Sequence, residues 1–420
     1  MLKFPFVARE RRLRRAVPCA YAEYRMATKA FDLAIVGGGL AGGLIALAAR
    51  RARPAVSVAL IEAGDSFGGN HRWSWFEGDL GPEADALLEP FPQARWHGGN
   101  TVRFPGFART MEADYRSLAS RDFDAVLRRM LPQSAILTNC AAVALDADGV
   151  LLASGERVAA GAVIDCRDFA LSPHLTGGWQ IFVGHHLRTR RPHGLGSPII
   201  MDADVAQHGA YRFVYSLPLA EDEVFVEDTY YADDPVLDRG ALGGRIADYA
   251  AARGWEGEVI HAEAGILPVV TGGDGAAHRA HFATPGVALA GARGLFSHPL
   301  TSYTLPFAAE NALAIAQALP LDGPALARLV EARARAHWRR TRFYRDLGRM
   351  LFQAAEPEQR WRVFARFYRL PEPLIERFYA GRSTPLDKLR VVTGKPPVPF
   401  WRGVAALLGK GAPLVQEQSQ

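Results

Sequence analysis

The sequence predicts an α/β fold in which a Rossmann-like nucleotide-binding unit is split by a mostly antiparallel sheet and followed by a helical C-terminal region. Three observations carry this reading. The run FDLAIVGGGLAG at residues 31–42 gives a buried strand, a glycine turn and a helix start, and VSVALIE then gives a second strand that ends at Glu62. VIDCRD (163–168) and PGVALAGARGLFSHPLTSYTLPFAAENALAIAQAL (285–319) supply further strands and a long helix that return to the same unit. Between them, GWQIFVGHHL, SPIIMDAD, YRFVYSLPL and EVFVEDTYY read as successive strands.

Each part of the first run has a physical task. Gly37 permits the tight turn, Gly39 lets backbone approach a pyrophosphate, and Gly42 lets the helix pack close to the strand. Phosphates would sit on the free N–H groups and positive end of a helix starting near Leu40. Glu62 lies 20 residues beyond Gly42, where a ribose hydroxyl needs an acceptor. Strand, turn, helix, second strand and acid together predict a dinucleotide site. The return of a late segment to the same sheet is the arrangement of flavoenzymes whose first and last segments build one FAD site.

The expected organisation has four parts: a basic extension (1–30), a discontinuous FAD-binding domain (31–177 with 271–320), an antiparallel substrate domain (178–270) and a basic, aromatic helical region (321–420). The net charge of +5 is already accounted for by residues 1–25. That stretch has no apolar segment or cleavage site of a signal peptide, and is expected to be a disordered arm or an over-extended start. No apolar run is long enough to span a bilayer. Cys19, Cys140 and Cys166 have no metal-ligand spacing, and no Walker loop, zinc site or Ser-His-Asp arrangement is present. From Arg328 to Arg349 there are eight arginines against Glu331 and Asp346, interleaved with Trp338, Phe343 and Tyr344. No nucleic-acid motif accompanies them. A membrane-surface face and a charged outer face on packed helices are the two readings.

In VFVEDTYY, alternation places Phe225, Glu227, Thr229 and Tyr231 on one sheet face and Val226, Asp228 and Tyr230 on the other. One of the two carboxylates therefore points toward whatever the sheet covers. A carboxyl among aromatics has its ionised form disfavoured and remains a proton donor near neutral pH. GGNHRWSWF (68–76) is a loop rich in hydrogen-bonding and stacking groups. His298 and Pro299 precede a helix whose N-terminus would face the flavin pyrimidine ring.

With these motifs together, the chain resembles the bacterial lycopene β-cyclases, an FAD-dependent carotenoid cyclase family. The matching segments are VGGGLAGGLIAL, GGNHRWSW, RPHGLGSPIIMDAD, YRFVYSLPL, VFVEDTYY, GILPVV, HPLTSYTLP, RFYRLPEPLIERFYAGRST and GKPPVP. They span Phe31 to about Pro399; residues 1–25 have no counterpart. The resemblance implies FAD held reduced by NADPH or NADH, and a reaction with no net electron transfer. A proton adds to the terminal double bond of lycopene's ψ-end, a neighbouring double bond closes a six-membered ring on the cation, and proton loss leaves the β-ring. The product sequence would be γ-carotene and then β-carotene, and related ψ-ended carotenoids are expected substrates. Such chemistry needs a proton source, exclusion of water, and negative charge or π-faces near the cation.

By the same resemblance the catalytic acidic motif falls on Glu227 and Asp228. Glu227 is expected as proton donor or cation stabiliser, with Asp228 the second candidate. The reduced flavin is the other negative group and an alternative proton source. Gly37, Gly39, Gly42 and Glu62 carry over as FAD contacts, with Gly291 and His298 near the second FAD segment. Two departures stand out. Gly291, Ala292 and Arg293 stand where many flavoenzymes place an acid, and Ser302 stands where a glycine is common. No metal is expected.

Lycopene is a C40 hydrocarbon whose full hydration would cost on the order of 30 kcal/mol, at roughly 0.8 kcal/mol per carbon. The protein is therefore expected to dock on a membrane from the cytoplasmic side as a peripheral protein, beside other enzymes acting on the same carotenoids. Neutralising Arg339, Arg340 and Arg342 is expected to weaken that docking. The competing readings are a flavin oxidoreductase acting on an isoprenoid, such as a prenyl reductase or monooxygenase, and a non-catalytic carotenoid- or nucleotide-binding protein.

Overall fold

The computed structural model describes residues 31–394, 398–409 and 411–414. The expectations for residues 1–30 lie outside the described residues. The first layer is a five-stranded parallel sheet in the order Val287–Leu289, Val163–Asp165, Leu33–Val36, Val58–Ile61, Ile136–Leu137. Its central strands, LAIV and VALI, are buried throughout, as a parallel sheet covered on both faces requires. Leu33 and Ile35 point into a core shared with helices Leu40–Ala52 and Leu305–Ala318. Ala34 and Val36 point the other way, onto a small antiparallel sheet that brings Val150, Leu152 and Val158.

The second layer is a seven-stranded sheet in the order Gly257–Gly273, Leu175–Thr189, Glu223–Ala232, Tyr211–Pro218, Ile199–Asp202, Asn100–Phe104, Phe107–Met111. Every neighbouring pair is antiparallel except Ile199–Asp202 with Asn100–Phe104. The sheet thus reaches beyond 178–270, the span expected for it. Residues 100–111 join because Val102 and Phe104 are buried in its core while Thr101 and Arg103 alternate outward.

The two faces of this sheet are covered differently. Phe213, Phe225, Tyr231 and Val269 meet Tyr344, Phe364 and Phe378 of helices Arg342–Ala354, Trp361–Phe367 and Glu372–Tyr379. Val183, Val214, Val226 and Tyr230 meet Leu242, Ile246 and Tyr249 of helix Arg239–Ala251. A third sheet, Arg72–Phe76, Tyr115–Ala119 and Ala94–Trp96, carries the GGNHRWSW segment.

The arginines of 328–349 divide between packing and the surface. Arg333 bonds Asn311, Arg335 pairs with Glu331, and Arg349 donates to the carbonyl of Thr271. Buried Arg345 lies 3.6 Å from the Trp338 ring centre. Arg328, Arg335, Arg339, Arg340 and Arg342 are exposed. Among the described residues no helix is long and apolar enough to cross a membrane.

Candidate active site

The turn after Leu33–Val36 is built for close backbone approach. Gly37 has φ +101°, and a Cβ there would lie 2.6 Å from the Cys166 carbonyl oxygen. A Cβ at Gly42 would lie 2.0 Å from the Gly37 oxygen, so the helix can start here only without a side chain. Gly39 meets no such neighbour and opens to free space. It caps helix Leu40–Ala52 without a side-chain acceptor, leaving that end's N–H groups available to an anion.

Glu62 accepts from the N–H of Gly38 (2.9 Å) through one carboxylate oxygen and from Gly64 (2.7 Å) through the other. It shapes the loop while its remaining lone pairs stay available to a hydroxyl. Gly291, at φ +61°, would bring a Cβ within 3.3 Å of Ala41 Cβ. The 290–292 turn therefore closes onto the first turn of the same helix. An uncapped helix end, an open glycine and a terminal carboxylate fit a dinucleotide.

His298 is placed differently. It is fully buried, its Nδ1 accepts from the Thr301 N–H (3.3 Å), and its ring centre lies 4.4 Å from that of Tyr344. Burial pushes its imidazole down to about 3, so it is neutral. The side chain shapes the 297–304 loop from behind. Ser302 sits at φ +55°, the left-handed region that favours glycine, and its hydroxyl donates to the Pro268 carbonyl (2.8 Å).

The seven-stranded sheet settles which carboxylate faces inward. Asp228 lies on the face under helix Arg239–Ala251 and is fully buried; the Arg212 guanidinium donates to both its oxygens at 2.8–3.0 Å. This is a buried, satisfied ion pair. Glu227 points to the opposite face, half-buried, and accepts from the Thr229 hydroxyl (2.7 Å). Burial pushes its carboxyl up to about 7.

Glu227 has company that its local sequence does not announce. It pairs across the ladder with Tyr215 on one side and Gly184 on the other, and Gly184 pairs in turn with Glu263. Directly paired residues share a face, so Tyr215, Glu227, Gly184 and Glu263 form one row. Glu263 is buried; burial first, and then the nearby Glu227 carboxylate, raise its carboxyl to about 8, with Arg72 opposing. Tyr215 donates to the Tyr115 hydroxyl (2.9 Å). The Arg72 guanidinium lies 5.6 Å from the Phe225 ring centre, and Asn70 donates to the Ala262 carbonyl (3.1 Å). The 68–76 segment thus closes over the row.

Sequence reasoning missed Glu263. Its signal is a lone carboxylate inside the apolar run AEAGILPVV. Also missed was Asp79, buried at about 7, which accepts from the Tyr303 hydroxyl and the Phe76 N–H. Beyond Tyr231, whose hydroxyl donates to the Leu300 carbonyl (3.1 Å), an apolar cavity runs outward. Leu300, Phe364, Phe378 and Tyr379 line its inner part, and Leu347, Met350, Val391, Val392 and Val398 also border it. Among the described residues no cluster of side chains suits a metal ion.

Residues 32–405 match the model of a family described as lycopene cyclase protein. That span takes in the glycine turn, the carboxylate row and the cavity. The chain belongs to the lycopene cyclase family. It is 46% identical over 375 residues to a lycopene β-cyclase of Pseudescherichia vulneris, covering 88% of this chain and 96% of the relative. It is 43% identical over 395 residues to a lycopene β-cyclase of a Paracoccus strain, covering 92% and 99%. Among solved structures, a p-nitrophenol 4-monooxygenase of Pseudomonas putida aligns with TM-score 0.57 at 17% identity, over 84% of this chain and 99% of that one. A geranylgeranyl bacteriochlorophyll reductase-like protein of Thermoplasma acidophilum aligns with TM-score 0.55 at 14% identity, over 91% and 99%. This lycopene cyclase family member shares their fold.

Proposed function

We propose that the chain is a lycopene β-cyclase that closes ψ-ends into β-rings, with Glu227 as the acid and FAD at the glycine turn. The observation that carries the chemistry is a carboxyl raised to about 7 on a face that also bears Phe225 and Tyr231 and continues into an apolar cavity. A group with that value keeps a proton at neutral pH yet can release it.

Protonated Glu227 gives its proton to the terminal double bond of the ψ-end, leaving a tertiary cation beside the new carboxylate. Attack of the neighbouring double bond forms the ring carbon–carbon bond at its near carbon and leaves the cation on its far, tertiary carbon, two ring positions from the first. The proton lost from the ring then returns to the carboxylate pair, so protons and electrons balance. Glu263, neutral at this stage, leaves Glu227 as the carboxylate whose charge tracks the cation. Tyr115, Tyr215 and Phe225 offer π-faces to it, and the closed 68–76 segment keeps water away. Gly37, Gly39, Gly42, Glu62 and Gly291 would hold the FAD. Held there in its reduced form, FAD would supply negative charge that stabilises the cation. NADPH or NADH serves to reduce it, and the substrate is drawn from a membrane surface on the cytoplasmic side.

The test is anaerobic incubation with FAD, NADPH and lycopene, followed by chromatography with mass detection. An isomer of unchanged mass, formed without stoichiometric NADPH consumption, supports the proposal. A product altered in hydrogen or oxygen count assigns the chain to oxidoreductase chemistry instead.

A further inference from the structure

Twelve large apolar side chains are exposed among the described residues, and seven of them lie on two C-terminal helices, Pro385–Val392 and Phe400–Leu408. Leu386 is 77% exposed, Trp401 79% and Leu408 83%. In the second helix Trp401, Val404 and Leu408 fall at i, i+3 and i+7, one face of a helix. The opposite face is anchored: Gly403 and Ala406 are buried, and Arg349 donates to the Leu407 carbonyl (3.3 Å). This is an amphipathic element whose apolar face points outward, which single scattered apolar residues would not produce.

The patch is continuous with the cavity. Val392 is 53% exposed and also borders the cavity, together with Val391 of the same helix and Val398. The cavity reaches Leu300, whose carbonyl is bonded by Tyr231 of the Glu227 face. The surroundings carry basic side chains: Lys388 and Arg390 lie on the first helix, whose one acid, Asp387, is held by the Arg377 guanidinium through both oxygens, while Arg402 on the second helix pairs with Glu356.

We propose that the outward faces of these two helices settle on a lipid bilayer with anionic headgroups, and that the cavity mouth beside Val392 is where the apolar chain end leaves the bilayer. The proposal rests on the reading of the substrate as a carotenoid. An amphipathic helix with a tryptophan and basic flanks buries its apolar face at the acyl boundary, and each nearby basic residue adds attraction to an anionic surface. The docking face is thereby placed on these two helices, C-terminal to the arginine-rich segment 328–349.

The test uses the full chain with FAD and two variants, Trp401→Asp/Leu408→Asp and Arg339→Gln/Arg342→Gln. Co-sedimentation with phosphatidylcholine–phosphatidylglycerol vesicles is measured, and lycopene conversion is followed both in vesicles and in detergent micelles. The expected result is at least tenfold weaker vesicle binding for the apolar pair, a smaller change for the arginine pair, and conversion lost in vesicles yet retained in micelles. Unchanged vesicle binding by the apolar pair overturns the proposal. So does a wild-type dimer that this pair converts to monomer, because the patch would then be an interface between copies. Failure of the wild type to cyclise lycopene in micelles would sink the cyclase reading while leaving the vesicle measurement to judge the surface.

Discussion

Glu227 and Glu263 stand in one row of the seven-stranded sheet, one on each side of Gly184, with side chains on the same face. Gly184 contributes no side chain between them, so Glu263 Cγ and the Phe225 ring occupy the space above it. Two carboxyls in this position share a desolvated site and titrate as a pair. That arrangement keeps a carboxylic acid protonated at neutral pH.

Glu227→Gln removes the acid while preserving shape. Turnover is expected to fall by roughly 10²–10⁴-fold, with flavin content unchanged. In the wild type, kcat should decline as pH rises through about 7, because the donor must be protonated. A profile flat from pH 6 to 9, measured by product formation, contradicts this.

Glu263 gives a stability signature. Its folded-state carboxyl lies near 8 against an ordinary 4.5, so the folded protein binds this proton more tightly than the unfolded chain does. The stability it contributes is complete below the ordinary value and is lost as pH rises through the folded one. Glu263→Gln cannot ionise, so its thermal midpoint should drop less between pH 6 and pH 9 than the wild type's. Equal drops would show that Glu263 titrates normally.

Gly184→Ala tests the spacing of the row. The added Cβ would lie 2.4 Å from Phe225 Cζ and 3.1 Å from Glu263 Cγ. Overpacking of this kind costs about 1–3 kcal/mol. Turnover per folded molecule should fall as well, since Glu263 and Phe225 must both shift. Unchanged turnover at a temperature where the variant is folded would place the reaction elsewhere.

Asp228→Ala should behave in the opposite way. It leaves Arg212 buried and unpaired, a loss of about 3–5 kcal/mol, seen in denaturant unfolding. Turnover of the folded fraction is expected within a few-fold of wild type.

Much of this was legible in the chain. The glycine turn and Glu62 were, because the residues that shape a dinucleotide turn are contiguous in sequence. Strand alternation correctly separated Glu227 from Asp228. It did not say which one faced inward, because that depends on Arg212 and helix Arg239–Ala251. Glu263 was hidden for a related reason: its place beside Glu227 is set by the register of Leu175–Thr189 with two partners, and a glycine at the crossing leaves no local signal. The basic face of 328–349 was legible too, but charge spacing alone does not distinguish exposed arginines such as Arg339, Arg340 and Arg342 from Arg333, Arg345 and Arg349, which bond neighbouring elements.

The most direct measurement of the central claim is cyclisation in deuterium oxide. Exchange between solvent and the Glu227 carboxyl should load the acid with deuterium, so each ring closed by wild type carries one added deuterium, and Glu227→Gln forms labelled product at a rate lower by roughly 10²–10⁴-fold. Rings formed at full rate without label, or labelled at an equal rate by Glu227→Gln, would contradict a carboxyl-borne proton at this site.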